Sequence, residues 1–343
     1  MLKVFVPTRE HSSLVTDDYE LMRAFMGAIE ERFDVEWCKT GVEADFILLF
    51  EHVSTKFWHY AAELQRDPTF AQYKGKIVCI NEDDASRGFL AGCYTSLTKH
   101  NFKHNLSHRI HRAIPFLKHY NVLLKSDAVR IEPDPRTRYL FSFRGASLTN
   151  PIRRKLFKRF ASFPGAKLVY VDRSFGTHRS QDMIDYVEEI LQSKFVLCPG
   201  GWSPQTIRLF ETMQLGRCPV IISDQWVPIA GIDWGNFAVI VPEREIDSLP
   251  KILAAREAEA ADLGKRARIA WEKNFAPKQR FLLTFSQVIE VWQEIRERPV
   301  DYDELHSSWR FYYGNRFTLG QRFKQGIMRR INQFRFRDQW KHW

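Results

Sequence analysis

The 343-residue sequence predicts an α/β protein with two Rossmann-like domains facing a cleft, on three observations. Short apolar, β-branched runs alternate with helical patterns in both halves of the chain. A stretch with two prolines and mixed charge, Asp127 to Thr137, interrupts that alternation and reads as a linker. Ser193 to Pro242 reads as strand, glycine turn, helix and strand, which is a βαβ unit. The predicted organisation is a first domain over 1–126, a linker over 127–137, a second domain over 138–300 and a basic aromatic segment over 301–343. Two domains of that size can each bury a core.

In the first domain, strands are expected at Lys3 to Val6, Val35 to Cys38, Asp45 to Phe50 and Lys76 to Asn81, with helices over about Asp17 to Arg32 and Ser54 to Gln65. Pro7-Thr8-Arg9 stands where a glycine-rich fingerprint would follow the first strand, so no dinucleotide cofactor is expected. The pattern loosens between Gly88 and Asn121. There His100, His104, His108 and His111 fall at helical spacing among Lys99, Lys103, Arg109 and Arg112, and read as a basic face rather than a zinc site.

The second domain opens with a strand at Tyr139 to Phe143, followed by Arg144-Gly145 and a basic helix from Pro151 to Phe160. A strand at Lys167 to Val171, the loop Asp172 to Gln181 and a helix to Leu191 lead into the βαβ unit. In that unit Lys194 to Cys198 is the strand and Pro199-Gly200-Gly201 breaks it. Ser203-Pro204 is expected to supply the N-cap and first-turn proline of a helix that ends near Leu215 and Gly216. Pro219 to Ser223 begins the next strand, and Ala254 to Glu272 and Pro277 to Arg296 read as long helices.

A helix N-terminus behind a glycine turn offers free N–H groups and a positive dipole end, which suits a nucleotide diphosphate. Arg208 and Glu211 share one face of the expected helix. Arg208 can neutralise a diphosphate and Glu211 can accept from ribose hydroxyls; a solvated ion pair between them is the alternative. Arg144-Gly145 lies at a strand's carboxyl end, where α/β sheets bind ligands, and makes Arg144 the second candidate cation, with Arg153 the third. The loop Asp172 to Gln181 is placed to meet the base or the sugar.

The residues Ser193-x-Phe-x-Leu-Cys-Pro-x-Gly201, Ser203-Pro204, Arg208-Leu209-Phe210-Glu211, Gly216, Pro219 to Asp224, and Asp233-Trp234 before Phe237 resemble the exostosin-type glycosyltransferases. The resemblance covers Arg138 to about Leu253. It implies a GT-B enzyme that binds a nucleotide sugar, expected to be UDP-linked, mainly through the C-terminal domain and inverts the anomeric centre. Donor-binding residues are then Arg144, Gly145, Arg153, Gly201, Trp202, Ser203, Pro204, Arg208 and Glu211. Trp202 departs from the pattern, standing where members often carry Asp or another polar residue beside Ser-Pro.

Inversion requires a base for the acceptor hydroxyl, and the resemblance places it on the N-terminal domain. Three acidic sites follow strands there: Glu10-His11, Glu51-His52 and Glu82-Asp83-Asp84. Asp83 is preferred, with Glu82 beside it. Asp301-Tyr302-Asp303 has the D-x-D spacing of metal-dependent transferases but does not follow a strand, so no metal and no cofactor beyond the donor are expected.

Apolar residues make up 44% and charged residues 27%, a globular composition with no run long enough to span a bilayer. The first strand begins at once, and the five cysteines are odd in number with no C-x-x-C spacing, so a reducing, cytoplasmic location is expected. Of the net charge of +10, His306 to Trp343 carries +8 (nine Lys or Arg, one Asp), leaving +2 for the other 305 residues. The nearly balanced domains argue against nucleic acid as a partner, leaving a nucleic-acid-binding tail and a non-catalytic sugar-nucleotide-binding relative as alternative readings. Phe323, Ile327, Ile331 and Phe334 share a helical face ringed by arginines, with Trp340 and Trp343 beyond. Residues 322–343 are therefore expected either to touch an anionic membrane carrying a lipid-linked glycan acceptor or to pack on the first domain.

Overall fold

The computed structural model describes residues 1–51, 60–84, 88–99, 102, 110–118, 121–124, 137–171 and 180–302. The first domain is a parallel sheet of β1 (Leu2–Phe5), β2 (Val35–Cys38), β3 (Phe46–Phe50), β4 (Ile77–Asn81), β5 (Gly92–Tyr94) and β6 (His111–Ala113). Their order is β2-β1-β3-β4-β5-β6. Every residue of β3 (FILLF) and β4 (IVCIN) is buried, because a central parallel strand is covered on both faces. Helix α1 (Tyr19–Glu30) is capped by Asp18, which accepts from the Leu21 N–H at 2.9 Å, and buries Met22, Phe25 and Ile29. Two short helices, α2 (Tyr60–Arg66) and α3 (Pro68–Tyr73), lead into β4.

The second parallel sheet contains β7 (Tyr139–Gly145), β8 (Ala166–Tyr170), β9 (Ser193–Pro199), β10 (Cys218–Ile222) and β11 (Val239–Ile240), in the order β11-β10-β9-β7-β8. Around it lie α4 (Pro151–Phe160), α5 (Ser180–Leu191), α6 (Ile207–Gln214), α7 (Leu249–Ala255) and α8 (Ala260–Asn274). Two separate parallel sheets give the two-domain α/β class that the alternation predicts. The last described helix, α9 (Pro277–Glu297), crosses back to the first sheet. Its Phe285, Val288, Val291 and Ile295 join the core of the first domain, and Trp292 packs on Phe46 at 5.4 Å between ring centres. Arg112 of β6 reaches Glu290 at 3.2 Å and Glu294 at 3.0 Å on the same helix.

Four features differ from the sequence expectation. β5 and β6 arise inside the loosened segment, because three-residue strands are too short to show alternation. His111 is therefore a buried strand residue, with Nε2 at 3.1 Å from the Leu90 carbonyl oxygen, and is not on a helical basic face. The stretch Ala254 to Glu272 is two helices, α7 and α8, separated by a 3₁₀ turn at Glu257–Glu259. The motif helix begins at Ile207, with Thr206 as N-cap, rather than at Ser203. The Gly201 N–H donates to the Ser203 carbonyl at 2.8 Å, closing a tight turn around the carbonyl a helix starting there would use at Ile207.

His100, His104, His108, Asp303, linker residues 127–136, loop residues 172–179 and the tail 303–343 lie outside the described residues. Tyr302 of the D-x-D stretch is buried in the first domain, where its hydroxyl accepts from the Ala91 N–H at 2.9 Å.

Helix α8 approaches the turn after α6 at Gly264, where a Cβ would lie 2.4 Å from the Gly216 carbonyl oxygen. Gly264→Ala should therefore destabilise the protein by about 2 kcal/mol, since overpacking of ~3 kcal/mol outweighs a helix-propensity gain of ~1 kcal/mol. A urea midpoint equal to that of the unsubstituted protein would contradict the close approach.

Candidate active site

The carboxyl ends of β7 and β9, with the first turns of α4 and α6, converge on the Phe143 ring. The Arg208 guanidinium lies 4.6 Å from the ring centre and that of Arg153 lies 5.5 Å from it. Such cation–π contacts hold each side chain by ~0.5–2 kcal/mol. Arg153 also donates from Nε to the Gly200 carbonyl at 2.9 Å and from an Nη to the Pro199 carbonyl at 3.2 Å. Arg208 donates from one Nη to the Arg144 carbonyl, while its Nε and other Nη are buried with no hydrogen-bond partner among the described residues. Among the described residues neither guanidinium has a carboxylate within ion-pair distance. Burial, and then the neighbouring Arg208 charge, push the Arg153 pKa down to about 9.

Two glycines make room for this pair. A Cβ on Gly201 would lie 2.8 Å from an Arg153 Nη, and one on Gly145 would lie 3.2 Å from the Phe143 ring and 3.5 Å from an Arg208 Nη. Orphaned buried oxygens collect beside them: Ser203 Oγ and Gln205 Oε1 in the turn before α6, and Thr149 Oγ1 before α4. Asn150 caps α4 through the Ile152 N–H at 3.0 Å and also donates to the Gly201 carbonyl at 3.3 Å, tying the two loops together.

Arg144 turns the other way. Its guanidinium forms a bidentate pair with Glu189 of α5 at 2.8 Å for each bond, with Asp185 at 3.6 Å. Glu211 is buried and accepts from the Tyr186 hydroxyl at 2.6 Å. Its carboxyl is raised above the ordinary range by burial, against the opposing pull of that hydrogen bond and of the Arg208 charge. No ion pair joins Arg208 to Glu211; the Tyr186 ring, 5.6 Å from the Arg208 guanidinium, links them. Trp202 is 56% exposed at the rim, and Pro204 is half-buried in the turn.

Across from this cluster, the turn after β4 carries Glu82, Asp83 and Asp84. The Asp84 charge acts on Arg153, so the two domains face each other here. Glu82 accepts from the Leu117 N–H at 2.6 Å, and its carboxyl is raised by burial first, partly offset by that bond. Asp83 is buried, with its N–H donating to Asn81 Oδ1 at 2.9 Å. Glu10 and His11 are exposed in the turn after β1.

A model of the Exostosin GT47 domain matches residues 70–255, more than half of the sequence. The chain belongs to the exostosin GT47 family. It is 28% identical over 190 residues to "Probable glucuronosyltransferase Os03g0107900" of Oryza sativa subsp. japonica, covering 50% of this chain and 41% of the rice protein. It is 31% identical over 128 residues to Exostosin-1 of Drosophila melanogaster, covering 36% of this chain and 16% of the fly protein. The exostosin-family chain thus matches less than half the length of either relative. Among solved structures, a glycosyltransferase from Rickettsia africae ESF-5 is similar over 87% of this chain and 99% of its own, with 8% identity and a TM-score of 0.42.

Of the residues singled out in this exostosin-family sequence, Arg153, Arg208, Gly145, Gly201, Ser203 and Glu211 come together in the second domain. Glu82 and Asp83 stand on the opposite one. The sequence reading passed over Phe143, Tyr186 and Asn150. Asn150-Pro151 was a legible cap-and-proline pair, but nothing local marks Phe143 as a platform or Tyr186 as the partner of Glu211.

Proposed function

We propose that this chain transfers a sugar from a nucleoside diphosphate donor, UDP-linked, to a hydroxyl of a glycan, with inversion and without a metal ion. The observation that carries the reading is the pair of guanidiniums on Phe143, with no carboxylate within ion-pair distance of either among the described residues. A largely buried guanidinium with no ion-pair partner is costly, and a diphosphate lying between Arg153 and Arg208 supplies one. The N-terminus of α6, whose N-cap Thr206 makes no side-chain cap bond, and the Ser203 hydroxyl, without a partner among the described residues, offer further hydrogen bonds to its oxygens. As the glycosidic bond to the donor breaks, negative charge grows on the leaving diphosphate, and these fixed donors stabilise it without a proton or a metal. Glu211, oriented by Tyr186, receives the ribose hydroxyls, and Arg144 supports the loop through its backbone carbonyl.

The base is assigned to the acidic turn after β4. There Asp83 takes the acceptor hydroxyl proton, and Glu82 holds the turn against Leu117. The 138–300 segment forms the donor side of the cleft and the 1–126 segment the acceptor side. The protein is proposed to work in the cytoplasm, where the tail 322–343 meets an anionic membrane bearing a lipid-linked acceptor.

The test is release of UDP from UDP-glucuronic acid, UDP-glucose and UDP-N-acetylglucosamine, with water and a panel of glycosides as acceptors. UDP-glucuronic acid comes first because the rice relative is named a glucuronosyltransferase. Turnover should survive a chelator. No UDP release from any donor, together with no binding of UDP, would remove the proposal.

A further inference from the structure

We propose that Glu51 is a positioning residue for this transfer, fixing the turn that carries Asp83 through the amide of Asn81. The inference rests on the reading of Asp83 as the base. Glu51 immediately follows β3, and Asn81 ends the neighbouring strand β4. The Asn81 Nδ2 donates to Glu51 Oε2 at 2.7 Å, and Asn81 Oδ1 accepts from the Asp83 N–H at 2.9 Å. The amide therefore cannot flip without breaking one bond or setting like atoms against each other. Glu51 selects its orientation.

The strand frame holds both ends of this relay. The Glu51 N–H donates to the Ile80 carbonyl at 2.8 Å, and Thr16 closes over the end of β3 by donating to the Phe50 carbonyl at 2.8 Å. Asn81 is 0% exposed, Asp83 1% and Glu51 5%, so no part of the relay is a solvated surface contact. The Asp83 carbonyl in turn accepts from the Ser96 hydroxyl, which pins the turn from the side of β5.

Two carboxyls this close and this buried do not both ionise freely. Among the described residues, Asp83 from the turn, Cys79 of β4, Tyr94 of β5 and Tyr302 act on Glu51. Burial raises the Glu51 carboxyl to about 8, with the Asp83 charge adding to the rise and the Asn81 and Cys79 hydrogen bonds opposing it. At neutral pH Glu51 thus keeps a proton and leaves the local negative charge to the turn. Above about 8 it ionises beside Asp83, and the turn is disturbed.

The test compares Glu51→Gln and Glu51→Leu with the unsubstituted protein, following UDP release from the best UDP-sugar of the panel between pH 6 and 9.5. Glu51→Gln keeps an acceptor for Asn81 and should stay within about threefold of full turnover at pH 7. It should also lose the fall in rate that the unsubstituted protein shows above pH 8. Glu51→Leu leaves Asn81 without its acceptor and should lower kcat at least tenfold, with the donor KM within about twofold. A purely structural role would change stability without moving the alkaline limb. An alkaline limb identical in the unsubstituted protein and Glu51→Gln overturns the inference, as does full turnover by folded Glu51→Leu. If Asp83→Asn turns over fully, it is the assignment of the base that fails instead.

Discussion

Replacement of Arg208 by alanine should lower kcat/KM for the donor by ~10²–10³, the loss seen when one fixed donor to a developing anion is removed. The size follows from how the side chain is held. Phe143 at 4.6 Å and the Arg144 carbonyl fix the guanidinium before any ligand arrives, so its two nitrogens without a partner among the described residues would meet the proposed diphosphate without reorganising. Arg208→Lys should recover only a minor part, because an ammonium lacks the planar fork and does not stack on the ring in the same way. Stability should move in the opposite direction. Burial depresses Arg153 first and repulsion by Arg208 second; removing Arg208 relieves the second, so the thermal midpoint of Arg208→Ala should equal or exceed that of the parent. Calorimetric titration with UDP and a thermal melt check both halves. Unchanged UDP affinity would show that the diphosphate binds elsewhere, and a lowered midpoint would show that the cation is structural.

That opposition separates this cluster from an ordinary ion-pair network. Arg144 is the contrast within the same loop. With Glu189 bidentate and Asp185 near, its charge is already balanced, and the hydrogen bond to Glu189 raises its pKa where burial lowers that of Arg153. Two arginines that look equivalent in the sequence therefore differ in how much attraction they retain for an anion.

What the sequence could reveal followed from range. The central strands, helix α1, and the glycine turn with Arg208 and Glu211 are each written within a few residues, and they were legible. The pairing of Arg144 with Glu189 spans 45 residues, and that of Glu51 with Asn81 spans 30, so no local pattern carries either. β5 and β6 escaped because three-residue strands leave no period to detect. The start of α6 was misplaced for a subtler reason. Ser-Pro is a good cap-and-first-turn pair in general, but here Gly201 folds back on the Ser203 carbonyl and delays the helix to Ile207. That delay lengthens the turn and buries the Ser203 hydroxyl beside the two arginines' loop with no partner among the described residues. The departure from the local rule thus coincides with the candidate site, as expected where binding rather than folding selects the backbone.

Asp83→Asn is the second large effect expected, a loss of ~10²–10⁴ in kcat with the donor KM and UDP affinity nearly unchanged. Asparagine preserves the side-chain volume and the backbone N–H to Asn81, so what it removes is the capacity to take a proton. The neighbouring carboxylate gives the internal comparison. Glu82 is engaged by the Leu117 N–H at 2.6 Å, joining the acidic turn to the segment that packs on α6 through Phe116 and Phe210. Glu82→Gln can still accept that bond, so it should lose less than about tenfold. Its cost should fall on stability rather than on the pH profile. If Glu82→Gln shows the larger loss in kcat and takes the acid limb of the profile with it, the base is Glu82 and Asp83 is its support. If both variants turn over at the parent rate, the proton leaves by a route outside this turn, and the acceptor side of the cleft must be sought elsewhere in the first domain.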